Sequence, residues 1–218
     1  MKSLESIYNS ILLENQNTNN IDIELLKKYV YGTPGKYTIN DDGSIDVKGS
    51  VNVNIKNIAK IPFKFGIVNG NFNCSDNQLT SLLGAPKTVG GSFYCSNNQL
   101  TSLEGAPNSV GGDFYCSNNQ LTSLEGAPNI VGGNFFYCSN NHLTSLDGAP
   151  NFVGGNFYCY DNPNLSYTEL FKIIDNVKGN IYYSSKTIPE DKDKIRRDRD
   201  VKGVLKDDEL GSLDVWNL

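Results

Sequence analysis

The sequence predicts an α/β-type repeat solenoid, a stack of short coils carrying a parallel β-sheet, and three observations carry that prediction. A five-residue phrase recurs with its phase kept, as Phe72-Asn-Cys-Ser-Asp, Phe93-Tyr-Cys-Ser-Asn, Phe114-Tyr-Cys-Ser-Asn, Phe136-Tyr-Cys-Ser-Asn and Phe157-Tyr-Cys-Tyr-Asp. The interval is about 21 residues, a length at which each unit is one coil that must stack on its neighbours to bury its apolar side. Within the interval every apolar residue keeps a fixed place. Counting Phe as position 0, Cys follows at +2, Asn at +5, Leu at +7 and +10, Ala-Pro at +13 and +14, Val at +17, and Gly-Gly next.

Taken along the chain, residues 4–13 and 21–30 have helical apolar spacing, separated by the turn-rich stretch 15–20. Tyr37-Thr-Ile39 and Ile45-Asp-Val47 flank Asp41-Asp-Gly43, a hairpin signal that would cover the open edge of the first coil. Val51-Asn-Val53 starts a degenerate entry coil over 51–71. In the coils that follow, Phe and Cys alternate onto the core side of a short strand, so +1 and +3 should face away from it. Asn77, Asn98, Asn119, Asn141 and Asn162 sit at the bend, where a buried amide would satisfy backbone groups of adjacent coils. Leu at +7 and +10 fills the far side of the core, Pro stiffens the return, and Gly-Gly is expected to supply positive φ for the turn back into the strand.

The fourth interval is one residue longer and places Phe135 and Phe136 together, so one ring should enter the core and the other bulge outward. Ser166-Tyr-Thr-Glu169 before an apolar run is a capping-box signature for one helix. Ile181 then opens a seventh strand. Residues 186–203 are a mixed charge run, read as a solvated helix or tail, and Trp216 near the end either folds back or docks elsewhere. The organisation is therefore an N-terminal cap of helices and a hairpin over 1–50, a solenoid over 51–185 and a charged tail over 186–218.

Composition narrows the function. The net charge is −5, and Lys87 is the only Lys or Arg between Phe72 and Tyr160, which argues against a nucleic-acid groove. No apolar run approaches the ~20 residues of a membrane helix, and the N-terminus lacks the pattern of a secretory signal. Cys74, Cys95, Cys116, Cys138 and Cys159 recur once per coil without the paired spacing of a zinc site; they read as buried fillers, with neither metal nor cofactor expected. His142, the only His, has no acid–base partner in its repeat, and no nucleophile elbow or phosphate loop is present, so an enzyme is not expected.

The candidate site is the outward strand face. Its +1 column holds Asn73, Tyr94, Tyr115, Tyr137, Tyr158 and Tyr182. The +3 column holds Ser96, Ser117 and, in the fifth copy, Tyr160; the +4 column holds Asn97 and Asn118. Asp113 and Phe135 mark a local departure at position −1. Tyr offers rigid contact area with a polar tip, and Ser and Asn adapt their hydrogen bonds, a chemistry suited to a protein partner. A structural or virion-associated protein whose solenoid is mostly a spacer is the alternative role, carbohydrate or a cell surface is the alternative ligand, and cross-strand stacking without any ligand is the competing account of the tyrosines.

The string Phe-x-Cys-x-x-Asn-x-Leu-Thr-Ser-Leu resembles the leucine-rich repeat core L-x-L-x-x-N-x-L-x-x-L, with Phe and Cys in place of two Leu. With the following Ala-Pro-x-x-Val it is similar to the short repeats of bacterial type III effectors and of repeat proteins of large tailed bacteriophages and prophages. The resemblance covers about 51–185. It implies a curved right-handed solenoid with its sheet on the concave face, a mostly irregular convex side, helical caps and a protein-binding role in a host cytoplasm or a virion. No catalytic Cys domain follows the repeats, so ligase activity is not implied. Residues 1–14 resemble the head-targeting leaders of phage internal proteins, trimmed after a signal such as Leu12-Leu-Glu14; an amphipathic helix packed on the cap is the simpler reading.

Overall fold

The computed structural model describes residues 21–31, 37–53, 57–136, 138–183 and 190–204. The expected helix and leader within residues 1–20 and the Trp216 segment lie outside these. The chain forms a parallel β-solenoid of about six turns at a spacing of about 21 residues. A short helix, α1 (Ile23–Tyr29), and strand β1 (Val30–Tyr31) precede the hairpin β2 (Tyr37–Ile39) and β3 (Ile45–Val47). Each coil then contributes two strands that belong to two different sheets.

The first sheet carries the Phe phrase. Its strands are β4 (Ser50–Asn52), β6 (Phe72–Asn73), β8 (Phe93–Tyr94), β10 (Phe114–Tyr115), β12 (Phe135–Phe136), β14 (Phe157–Tyr158) and β15 (Ile181–Tyr182), all parallel, with β1 antiparallel on the edge of β4. The second sheet runs through β2, β3, β5 (Phe65–Val68), β7 (Thr88–Val89), β9 (Ser109–Val110), β11 (Ile130–Val131) and β13 (Phe152–Val153). Both N-terminal edges therefore end in an antiparallel strand, and the expected hairpin is one of them. The second sheet is a correction, since the side away from the Phe phrase was expected to be mostly irregular. The Val at +17 is buried (Val89, Val110, Val131, Val153), while its predecessor is half-buried (Thr88, Ser109) or exposed (Ile130, Phe152); that alternation makes a two-residue strand.

The core is built from columns. Phe72, Phe93 and Phe114 stack in parallel at 5.5 and 5.3 Å between centroids. The five Cys, Leu79/Leu82, Leu100/Leu103, Leu121/Leu124 and Leu143/Leu146 are at most 1% exposed. Burial pushes the Cys thiols upward from their ordinary pKa, and Cys95 Sγ donates to the Tyr115 carbonyl at 3.2 Å.

The Asn column binds each coil to the one before it. Asn119 Nδ2 donates to Cys95 O (3.1 Å), Cys116 O (3.0 Å) and Ser117 O (3.3 Å), and its Oδ1 accepts the Leu100 N–H at 3.1 Å. Asn77, Asn98, Asn141 and Asn162 repeat the pattern on their own coils.

Gly-Gly acts otherwise than expected. Apart from Gly43 in the hairpin turn, the positive-φ glycines among the described residues are Gly84, Gly105, Gly126 and Gly148, in the Leu-x-Gly-Ala-Pro return, whereas Gly-Gly marks close approach of stacked backbones. A Cβ on Gly112 would lie 2.6 Å from Ser92 Oγ.

The capping-box segment forms a 3₁₀ helix, Tyr167–Lys172, whose N-cap Ser166 accepts the Thr168 N–H. Helix α2 (Lys192–Val204), in the charge run, docks on it: Ile195 is fully buried, Tyr167 Oη donates to Asp198 at 3.1 Å, and Arg199 Nη1 reaches Asp175 at 2.6 Å. No helix of the described residues is long and apolar enough to cross a membrane.

Two outcomes test this core. Asn119→Ala leaves buried backbone groups unmatched on two coils and should cost on the order of 3 kcal/mol, read as a Tm lowered by roughly 6–12 °C. With their thiol pKa raised by burial, none of the five Cys should react with a thiol reagent at pH 8 in the native protein, and all should react once it is unfolded.

Candidate functional site: the tyrosine columns of the Phe-phrase sheet

The outward residue of each two-residue strand in this sheet falls in one column, because the strands pair in parallel with Asn73 beside Tyr94, Tyr94 beside Tyr115, and Tyr158 beside Tyr182. Side chains in such a column lie one strand spacing apart, close to the distance at which aromatic rings stack. Tyr94 and Tyr115 are stacked at 4.6 Å with planes 15° apart, and Tyr158 and Tyr182 at 4.3 Å and 1°. All four are half-buried. The rings are piled along the stacking direction, so each pair covers ring faces and turns edges and hydroxyls outward.

The strand pairing shifts the expected position of the extra residue. Phe135 pairs with Phe114 and Phe136 with Tyr115, and the coil resumes at Cys138, whose N–H donates to Tyr158 O at 3.1 Å. Phe136, expected at position 0, thus takes the backbone place of the tyrosine column. Phe135, expected as the insertion, takes the place of the core Phe, and the added residue falls at 137. Tyr137 itself lies outside the described residues. The physical reason is that Phe, Cys and Asn are locked in inward columns on both sides, so a coil of 22 residues takes up its excess between +1 and +2.

A polar ladder at position −1 supports the tyrosines. Ser92, Asp113, Asn134 and Asn156 each accept, through a side-chain oxygen, the N–H of the equivalent residue one coil later. Asp113 is thus a member of a regular ladder as well as the only charged residue in its column. Tyr115 Oη donates to Asp113 Oδ2 at 3.1 Å, and Asn156 Nδ2 donates to Tyr158 Oη at 3.2 Å. Desolvation is the first cause holding the Tyr158 hydroxyl above its usual pKa. Asn134 and Asn156 were not singled out from the sequence, although an unbroken Ser/Asn/Asp column before each Phe was the available signal.

Other candidates are placed differently. Ser96 is half-buried, but Ser117 is only 8% exposed, and Tyr160 is 7% exposed and packed edge-on against Tyr158 at 6.3 Å. The +3 column was expected to face away from the core; with strands only two residues long, alternation ends before it. Asn73 turns its Oδ1 to its own Ser75 N–H at 2.9 Å. Asn97 and Asn118 are exposed and linked, Asn118 Nδ2 donating to Asn97 Oδ1 at 2.8 Å, and both have positive φ, 56° and 55°. That left-handed turn favours Asn, Asp or Gly whatever the ligand.

Among the described residues no group of His, Cys, Asp or Glu is arranged to hold a metal. Comparison of the chain with known protein families, with curated proteins and with solved structures gives no match.

The left-handed turn separates a backbone role for Asn118 from a binding role. Asn118→Gly should leave the Tm nearly unchanged, whereas Asn118→Ala should cost roughly 1–2 kcal/mol, measured by thermal unfolding of the two variants side by side.

Proposed function

We propose that this chain is a non-enzymatic interaction module of the leucine-rich repeat kind, binding a protein partner through the tyrosine columns of the Phe-phrase sheet, its concave face in that reading. The observation that carries the proposal is the pair of stacked tyrosine columns, Tyr94/Tyr115 and Tyr158/Tyr182, half-buried on a sheet whose every coil is tied to the next. Such rings hold their orientation before any partner arrives, so little side-chain entropy is lost on binding.

Charge indicates what the partner offers. From position −1 to +4 the described strands of this face carry Asp76, Asp113 and Asp161 and no Lys or Arg. A partner presenting basic and hydrogen-bonding side chains complements that face. Carbohydrate is less well served, since a sugar stacks on an open ring face and these rings cover one another's faces. The chain's place, in this reading, is inside a bacterial cell or a phage particle.

The test is capture from bacterial lysate by the intact chain and by a folded variant with Tyr94, Tyr115, Tyr158 and Tyr182 changed to Ala, with cross-links mapped by mass spectrometry. A partner with a basic surface, retained by the intact chain, cross-linked to this face and lost by at least tenfold in the variant, is the expected result. Equal recovery by both would make the columns sheet stacking alone and the solenoid a spacer. Loss of the partner on adding oligosaccharides would favour the carbohydrate reading.

A further inference from the structure

A stack of parallel coils leaves unmatched carbonyls and amides on its last coil. Here groups from outside the repeat take the places of a following coil. In the interior, Val131 O and Gly133 O accept the N–H groups of Gly154 and Gly155, and one coil later Val153 O and Gly155 O accept those of Lys178 and Gly179. The next acceptors in this series, Val177 O and Gly179 O, are both taken by one side chain: Lys192 Nζ donates to Val177 O and, at 3.2 Å, to Gly179 O. An ammonium group carries three donors, so it can serve two carbonyls at once, and its charge strengthens both bonds. On the last strand itself, β15, Ile181 O accepts the Glu190 N–H at 2.7 Å.

The segment that these groups hold ends in Tyr182, the last ring of the tyrosine column. Toward the body of the solenoid it is fixed as any coil is, down to the Asn180 N–H, which donates to Asn156 Oδ1 at 2.8 Å. On its other side no coil follows. A terminal strand held from one side alone is expected to splay, yet Tyr158 and Tyr182 stack at 4.3 Å and 1°, no less closely than the interior pair Tyr94 and Tyr115 at 4.6 Å and 15°. Substitution of the missing coil by Lys192 and Glu190 accounts for that order.

We propose, on the reading that the tyrosine columns bind a partner, that Lys192 and Glu190 are positioning residues for the C-terminal half of that face: the Glu190 N–H, on β15, and Lys192 Nζ, on the turn that ends two residues before β15, hold Tyr182 flat against Tyr158. Helix α2 sets Lys192 in place. Ile195, three residues on, is fully buried, and Arg196 and Arg199 reach Asp175, two residues before Val177. The charge run thus acts on the binding face without touching the partner.

NMR of the full chain with labelled tyrosine tests the proposal. In the unchanged protein the Tyr182 ring protons should lie upfield, shielded by Tyr158. Lys192→Met, which keeps an apolar stem and removes the donors, should lose most of that shift while Tyr94 and Tyr115 keep theirs, the sign that the solenoid is folded; Lys192→Arg, which restores the donors, should recover it. Asp175→Ala, an exposed change that releases Arg196 and Arg199, should move Tyr182 in the same direction and spare Tyr94 and Tyr115. In the lysate capture, partner cross-links to the Tyr158/Tyr182 half should fall with Lys192→Met and return with Lys192→Arg. Folded Lys192→Met and Asp175→Ala proteins with an unchanged Tyr182 shift would overturn the proposal whatever the partner does. Shifts that move as expected, with no partner held by the intact chain, would support the positioning and overturn the binding reading instead.

Discussion

The structure depends above all on one side-chain amide per coil. Each Asn at +5 saturates its donors and acceptor with backbone groups of its own coil and the preceding one, deep in the core. A buried amide in that position either finds all its partners or leaves several groups desolvated and unmatched. The coil-to-coil spacing at the bend is therefore fixed, and the Phe, Cys and Leu columns inherit their alignment from it. The longer fourth interval obeys the same constraint: Asn141 still donates to Cys116 O and accepts from Leu121, so the extra residue is confined to the stretch before Cys138.

The second ladder, at −1, couples this rigidity to Gly-Gly. Its side-chain oxygens reach up to the next coil's N–H groups through space that only glycine leaves open; a Cβ on Gly133 would collide with Asp113 Oδ1, and one on Gly155 with Asn134 Oδ1. Glycine is needed there for approach, not for φ. The positive φ angles fall instead at the Leu-x-Gly return and at the +4 Asn or Asp, the two sharp turns of the coil. Close approach is thus common to both kinds of glycine in one repeat, since a Cβ on Gly126 would collide with Glu104 N, while positive φ belongs to the return alone.

What was legible in the sequence follows from this division. Inward columns repeat one residue type because one geometry demands it, so Phe, Cys, Asn and Leu could be placed, as could the hairpin before the first coil. The second sheet was hidden because its outward residue varies freely, Thr88, Ser109, Ile130 and Phe152 having only the sheet surface to satisfy. The place of the extra residue was hidden for a different reason. Matching by residue type aligns Phe136-Tyr137 with Phe114-Tyr115, whereas strand pairing aligns Phe135-Phe136 with them, and only backbone hydrogen bonding separates the two. The docking of α2 rests on Ile195 within a run of charges, too sparse a pattern to stand out. On the strand face the sequence located the tyrosine column but not its supports at −1, and Ser117 and Tyr160, expected on the outward face, are turned inward where the short strand ends.

Stacking, and the recognition proposed for the tyrosines, would draw on the same geometry. Rings one strand spacing apart stack because the coils beneath them cannot separate, and stacking in turn fixes which atoms they present. An uninterrupted column would show edges and hydroxyls at regular intervals and would distinguish no part of its length from another. In the proposed binding role, specificity would enter where the period is broken: at Asn73, where the tyrosines begin; at position 136, where the backbone register of the tyrosines carries Phe; at Asp113, which adds a charge beneath Tyr115; and at Tyr160, which replaces a small Ser beside Tyr158. The regular part of the repeat supplies a surface of known spacing, and for the proposed partner these four departures would give that surface a direction.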